Sequence, residues 1–143
     1  MTAPTASKTA RDLMHSGVDC IQSTDTIATT SAAMSRLGVG CLPVCGPEDK
    51  LMGMITDRDI VVDCVAEGKD TTVMTAADLA KGRPVWVDAN ASKDEVLAVM
   101  SEHQVRRLPV MDHRRLVGMI SEYDLVRGLD RDDVADFCKA VYR

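Results

Sequence analysis

The chain states one folding unit twice, and this repetition constrains its fold more than any single residue does. Thr9-Ala10-Arg11-Asp12-Leu13 returns as Thr75-Ala76-Ala77-Asp78-Leu79, and Leu42-Pro43-Val44 returns as Leu108-Pro109-Val110, each 66 positions on (9 to 75, 42 to 108). Gly53-Met54-Ile55-Thr56-Asp57-Arg58-Asp59-Ile60 returns as Gly118-Met119-Ile120-Ser121-Glu122-Tyr123-Asp124-Leu125 after 65 positions, the turn between having lost one residue. A lone unit of about 60 residues buries only about 60% of its unfolded surface. The two copies are therefore expected to share one core within a chain of 143 residues.

Each copy reads β-α-β-β-α. In the first, a short helical segment from Ala10 to Met14 precedes a strand around Asp19-Cys20-Ile21. Ser23-Thr24-Asp25-Thr26 then offers side-chain oxygens to the free amides of a helix from Ile27 to Arg36, which Gly38 stops. Cys41 to Cys45 and Leu51 to Ile55, joined by Gly46-Pro47-Glu48-Asp49-Lys50, give a hairpin signal, and a helix runs from Thr56 to about Ala66. In the second copy Val85-Trp86-Val87 is the strand, with Trp86 as core filler or cleft wall. Ser92-Lys93-Asp94-Glu95 is a capping box, and Val96, Val99 and Met100 form one buried helical face. Arg107 to Met111 and Leu116 to Ile120 form the second hairpin. The expected division is a disordered arm at 1–8, repeats at 9–68 and 69–128, and a C-terminal helix at 129–143. Val134, Phe137, Cys138 and Val141 lie on one stripe of that helix, which either docks on the core or contacts another subunit.

A net charge of −5 spread along the chain gives no electrostatic footprint for nucleic acid or an anionic membrane. Met1 to Lys8 carry no apolar stretch, so neither a conventional signal peptide nor a membrane span is expected; the cytoplasm is the default compartment, with export by a route without a cleavable leader left open. Five cysteines without metal-type spacing argue against an extracellular disulfide framework.

In both copies a strand ending Gly-Met-Ile runs into Thr/Ser-x-x-Asp at the start of a helix. The hydroxyls of Thr56 and Ser121 stand where free amides favour an anion such as phosphate. Asp59 and Asp124, three residues on, carry carboxylates that could accept two hydrogen bonds from a diol. Phosphate, ribose and an apolar cleft for a base describe a nucleotide. The same pattern is also an ordinary capping box.

This arrangement, with the Leu-Pro-Val strand and the β-α-β-β-α order, resembles the CBS domain, and residues 9 to 128 resemble a tandem CBS pair, or Bateman module. The resemblance implies an α/β (α+β) fold of two repeats packed about a pseudo-twofold axis, with clefts that take adenosine nucleotides. AMP or ATP is the candidate ligand, and S-adenosylmethionine and NAD belong to the same panel. Thr56 and Ser121 take the phosphate-side role and Asp59 and Asp124 the ribose role. The family also implies a homodimer, and no enzyme activity is expected. No nucleophile with a base is visible, so the output passes to an unidentified effector protein or resides in the oligomer.

The copies are not equivalent. His103-Gln104-Val105-Arg106-Arg107 resembles the basic segment that contacts phosphate in nucleotide-sensing CBS proteins, whereas Leu37-Gly38-Val39-Gly40-Cys41 has no cation. Arg58 is replaced by Tyr123. One strong anionic site per chain is expected at most, using Arg107 and Arg106 or Arg58, since guanidinium holds phosphate in a bidentate fork. The other reading of these arginines is a solvated face or an ion pair with Glu95 or Glu102.

Gly-Val-Asp-Cys followed by Leu-Pro-Val-Cys-Gly, with Thr-Asp-Arg-Asp-Ile-Val and His-Gln-Val-Arg-Arg, resembles the hypoxic response protein 1 group of bacterial CBS proteins. This implies a stress- or redox-linked role. Cys20 and Cys45 fall on strands that can be parallel neighbours, so a disulfide and a pair of reduced thiols stand as open alternatives. A redox-responsive structural protein with empty clefts is the second functional reading. Cys41, Cys64 and Cys138 read as packing residues. His15, His103 and His113 lie outside any zinc-ligand spacing, so no metal is expected.

Overall fold

A computed structural model describes residues 8–80, 82 and 84–142. In chain order the elements are α1 (Ala10–Leu13), β1 (Ile21–Gln22), α2 (Ile27–Leu37), β2 (Cys41–Cys45), β3 (Leu51–Thr56), α3 (Asp57–Ile60), α4 (Ala76–Leu79), β4 (Val87–Asp88), α5 (Lys93–His103), β5 (Arg107–Asp112), β6 (Arg115–Ser121), α6 (Glu122–Gly128) and α7 (Arg131–Val141). Each repeat is an α/β unit with a three-stranded mixed sheet, in the orders β1-β2-β3 and β4-β5-β6. The outer strand runs parallel to the middle one, with Ile21 opposite Val44 and Val87 opposite Val110. The hairpin is antiparallel, with Val44 opposite Gly53 and Val110 opposite Gly118.

The middle strands read as unbroken apolar runs because both of their faces are covered; Leu42 to Cys45 and Leu108 to Met111 are buried throughout. Pro43 and Pro109 have no amide to give to a ladder, yet both lie in these strands. They fit because β1 and β4 begin opposite Val44 and Val110, one residue further along. Thr26 Oγ1 accepts the amide of Thr29 at 3.1 Å to start α2, and Gly38, at φ 68°, ends it in the left-handed region. The second copy ends α5 with Gln104 in the same conformation, at φ 55°.

Packing divides the chain into Asp19–Pro84 and a composite of the segment ending at Val18 with Val85 onward. Sequence similarity and packing thus cut the chain at different places. In the contiguous unit, Ile27, Val44, Ile55 and Cys64 are fully or almost fully buried, and α4 closes the core with Ala76 and Leu79. Its amides are held by the chain ahead of α2, Ala76 N to Asp25 O at 2.8 Å and Ala77 N to Ser23 O at 3.0 Å. In the composite unit α1 plays the same part against the chain ahead of α5, with Ala10 N to Ala91 O at 2.8 Å and Arg11 N to Ala89 O at 3.0 Å. The Thr-Ala-x-Asp-Leu segment that leads the first repeat therefore docks on the elements of the second.

Phe137 and Val141 of α7 belong to the composite unit's core, and Lys93 Nζ meets Asp133 Oδ2 at 2.7 Å, so the tail helix docks on its own chain. Cys138, expected on the same stripe, is exposed. Of the expected arm Met1 to Lys8, residues 1–7 lie outside the described residues, as does Arg143. Lys8 is anchored, its Nζ donating to Gly128 O at 2.6 Å. The helix expected from Thr56 to Ala66 is α3 continued by a π-helical turn at Val61–Val65. Trp86 precedes β4 and is 49% exposed, so it is not core filler. Among the described residues no helix is long and apolar enough to cross a membrane.

Candidate functional site

The strand-to-helix corner that carries the motif forms in both units by the same local chemistry. Thr56 ends β3 and caps α3: its hydroxyl accepts the amide of Asp59 at 3.0 Å, while its own amide donates to Asp59 Oδ2 at 2.9 Å. Ser121 ends β6 and caps α6 in the same way, with Asp124 N to Oγ at 3.3 Å and Ser121 N to Asp124 Oδ2 at 2.8 Å. The motif is thus a reciprocal capping box in both copies.

This has a consequence for the carboxylates. Asp124 Oδ2 accepts from Ser121 N, from Ser121 Oγ at 3.0 Å, and from His15 Nδ1 at 2.7 Å. Three donors saturate that oxygen, so Oδ1 is the one left to a ligand. His15 reaches Asp124 because its backbone bridges Met119 of β6 in both directions, at 2.9 and 3.0 Å. Its matching position, 66 residues on, is Lys81, outside the described residues. That two nitrogen bases share one repeat position was visible in the sequence and could have singled out His15.

The corners differ across the hairpin. Arg107, the first residue of β5, is the register partner of Ser121, and Cys41 is the register partner of Thr56. A guanidinium-bearing residue therefore stands beside one capping box and a half-buried thiol beside the other. Arg107 and Arg58 are both exposed, Arg58 in the first turn of α3. Tyr123 replaces Arg58 in the second copy and holds Arg127 instead, whose guanidinium lies 5.7 Å from the ring centroid and donates to the hydroxyl at 3.0 Å.

Arg106 pairs with neither Glu95 nor Glu102. Its Nε lies 3.6 Å from Glu122 Oε1, its Nη1 donates to Tyr142 Oη at 3.4 Å, and its guanidinium stacks 5.4 Å from the Tyr142 ring centroid. Tyr142 and then Glu122 hold this guanidinium more firmly protonated than usual. The Tyr142 hydroxyl in turn donates to Glu122 Oε1. Neither residue stood out in the sequence, because the tail's approach to the second hairpin has no local signature.

Cys20, just ahead of β1, and Cys45, at the end of β2, are joined by a disulfide with a Cα separation of 5.8 Å. The parallel pairing of Gln22 with Cys45 and Ile21 with Val44 brings them together. Cys64 is buried in the contiguous unit's core.

The CBS-domain pattern matches residues 10–65 and again residues 71–131. The chain belongs to the CBS-domain family. Hypoxic response protein 1 of Mycobacterium tuberculosis is 46% identical over 133 residues, 93% of either chain. The CBS domain-containing protein YhcV of Bacillus subtilis is 33% identical over 119 residues, 80% of this chain and 81% of that one. The crystal structure of Hypoxic Response Protein I with two coordinated zinc ions superposes with a TM-score of 0.80 at 47% identity, covering 86% of this chain and 100% of that one.

Proposed function

We propose that this CBS pair is a non-catalytic sensor that binds an adenosine-type nucleotide at its Thr/Ser-x-x-Asp corners and signals by conformation or association. The observation that carries this reading is the inequality of the two hairpins, Arg107 opposite Ser121 against Cys41 opposite Thr56. In it the second repeat supplies the one strong anionic site, with Arg107 on phosphate and Asp124 Oδ1 on ribose. Thr56 and Asp59 supply a weaker site, and Arg58 is a secondary cation. Binding to the folded form stabilises it by about 2.7 kcal/mol at one hundred times the dissociation constant. A thermal-shift panel of AMP, ATP, S-adenosylmethionine and NAD tests this: at least one adenosine compound raises the midpoint, and Arg107→Ala removes the shift. No shift with any of them contradicts it.

Output passes to an effector protein or through a homodimer. Val61, Val62 and Val65, all exposed on the helical turn after α3, support association with a second copy. The relative's crystal structure carries two coordinated zinc ions. Structural zinc takes four ligands, and among the described residues no three histidine, cysteine or acidic side chains gather into a metal site.

The Cys20–Cys45 bond supports a second reading, a redox-responsive stress protein whose working part is the disulfide. A midpoint that falls on reduction and ignores every nucleotide would favour it.

A further inference from the structure

Arg106 and Arg107 are adjacent in the chain, yet the fold treats them differently. Among the described residues the Arg107 guanidinium has no hydrogen-bond or ion-pair partner, whereas Arg106 is held on three sides by Glu122 and Tyr142. The cluster offers Arg106 what an anionic ligand would offer it, a carboxylate, a hydroxyl and an aromatic face. Gln104 ties the same loop to the tail, its Nε2 donating to Ala140 O at 2.8 Å. Buried Phe137 and Val141 fix α7 in place, so Tyr142 is delivered to Arg106 by the helix and not by its own contacts. Glu122 follows Ser121 directly, so its negative charge stands next to the anionic corner and is compensated by Arg106.

We propose that Tyr142 and Glu122 set the phosphate-length preference of the second-repeat site by withholding Arg106. This rests on the nucleotide reading and adds specificity to it. A monophosphate is met by Arg107 with the cluster intact. A longer polyphosphate needs Arg106 as well and must draw it away from Tyr142, which also leaves Glu122 uncompensated beside the incoming charge. The cluster therefore weakens triphosphate binding and leaves monophosphate binding unaffected.

Isothermal titration of AMP and ATP into the full chain, as wild type, Tyr142→Ala, Arg106→Ala and the double variant, tests the proposal. Tyr142 is exposed and lies beyond the buried positions of α7, so its replacement keeps the helix docked; an unchanged thermal midpoint checks this. Tyr142→Ala is expected to tighten ATP about two- to fivefold, the range of an exposed ion pair and a stacked cation, with AMP unchanged. The double variant is expected to lose that gain. Equal shifts for AMP and ATP, no shift for either, or a gain that survives Arg106→Ala would overturn the inference while leaving the nucleotide reading standing. No binding of either nucleotide to any variant would overturn that reading, and the inference with it.

Discussion

Gly118 and Gly53 hold the same position in the two repeats, and the structure assigns opposite outcomes to the same substitution. A Cβ at Gly118 would lie 2.7 Å from the His15 carbonyl oxygen and 2.5 Å from Met14 Sδ. The sulfur can swing aside, but the carbonyl belongs to the backbone bridge between His15 and Met119. Moving it breaks the hydrogen bond it accepts from Met119 N and, by shifting the same residue, weakens the one His15 N donates to Met119 O, each with a net value of about 1 kcal/mol. Gly118→Ala should therefore cost about 2 kcal/mol, lessened by the few tenths that alanine gains through the unfolded state. At Gly53 the new Cβ would meet Ala80 Cβ at 3.4 Å and Ala80 O at 3.5 Å, ordinary contact distances, because alanine stands there in place of Met14. Gly53→Ala should be neutral or stabilise by about 0.5 kcal/mol. Urea unfolding of both variants, followed by circular dichroism, measures the difference. Equal costs at the two sites, or a larger one at Gly53, would refute the docking of the Met14-His15 segment on β6.

Three further outcomes follow from the geometry. Reduction of Cys20–Cys45, whose sequence separation is 25, should lower unfolding stability by roughly 3 kcal/mol in the chain-entropy treatment; denaturation with and without a phosphine reductant reads it, and intact-mass thiol counting must find three thiols without reductant. The Asp12 carboxyl is held below its ordinary value of 3.8, first by the Thr9 amide and then by the Thr9 hydroxyl. A lowered folded-state value gives stability that is present above pH 3.8 and lost as pH falls through the lower value, so Asp12→Asn should flatten the acid limb of a pH-dependent melting series. Phe137→Ala removes a side chain that is 4% exposed and should cost about 3 to 5 kcal/mol; a loss under 1 kcal/mol in urea unfolding would mean that α7 does not dock on its own chain.

The hairpins, the long helices and their caps were legible in the sequence because each depends on local chemistry. Thr26 and Ser92 cap, Gly38 stops a helix, and Leu42 to Cys45 forms an apolar run long enough for one strand. The destination of α1 was not legible. A single helical turn that buries Ala10 and Leu13 carries no pattern naming the surface it covers, and the same turn at Ala76 and Leu79 is nearly identical. The corner was legible as a motif, but the use of Asp124 was not. The bond from His15 spans 109 residues and consumes an oxygen that the motif alone leaves open. Arg106 was read from the sequence as a candidate phosphate contact or as a partner of Glu95 or Glu102, yet it pairs with Glu122 and with Tyr142, 36 residues away on a tail whose approach only packing determines.

The count of tight nucleotide sites per chain tests the central claim most directly. Isothermal titration of the wild-type chain with the adenosine compound that gives the largest thermal shift should find one tight site, removed by Asp124→Asn and by Arg107→Ala and retained in Asp59→Asn. Two equivalent tight sites, or a single site that depends on Asp59 and not on Asp124, would contradict the account.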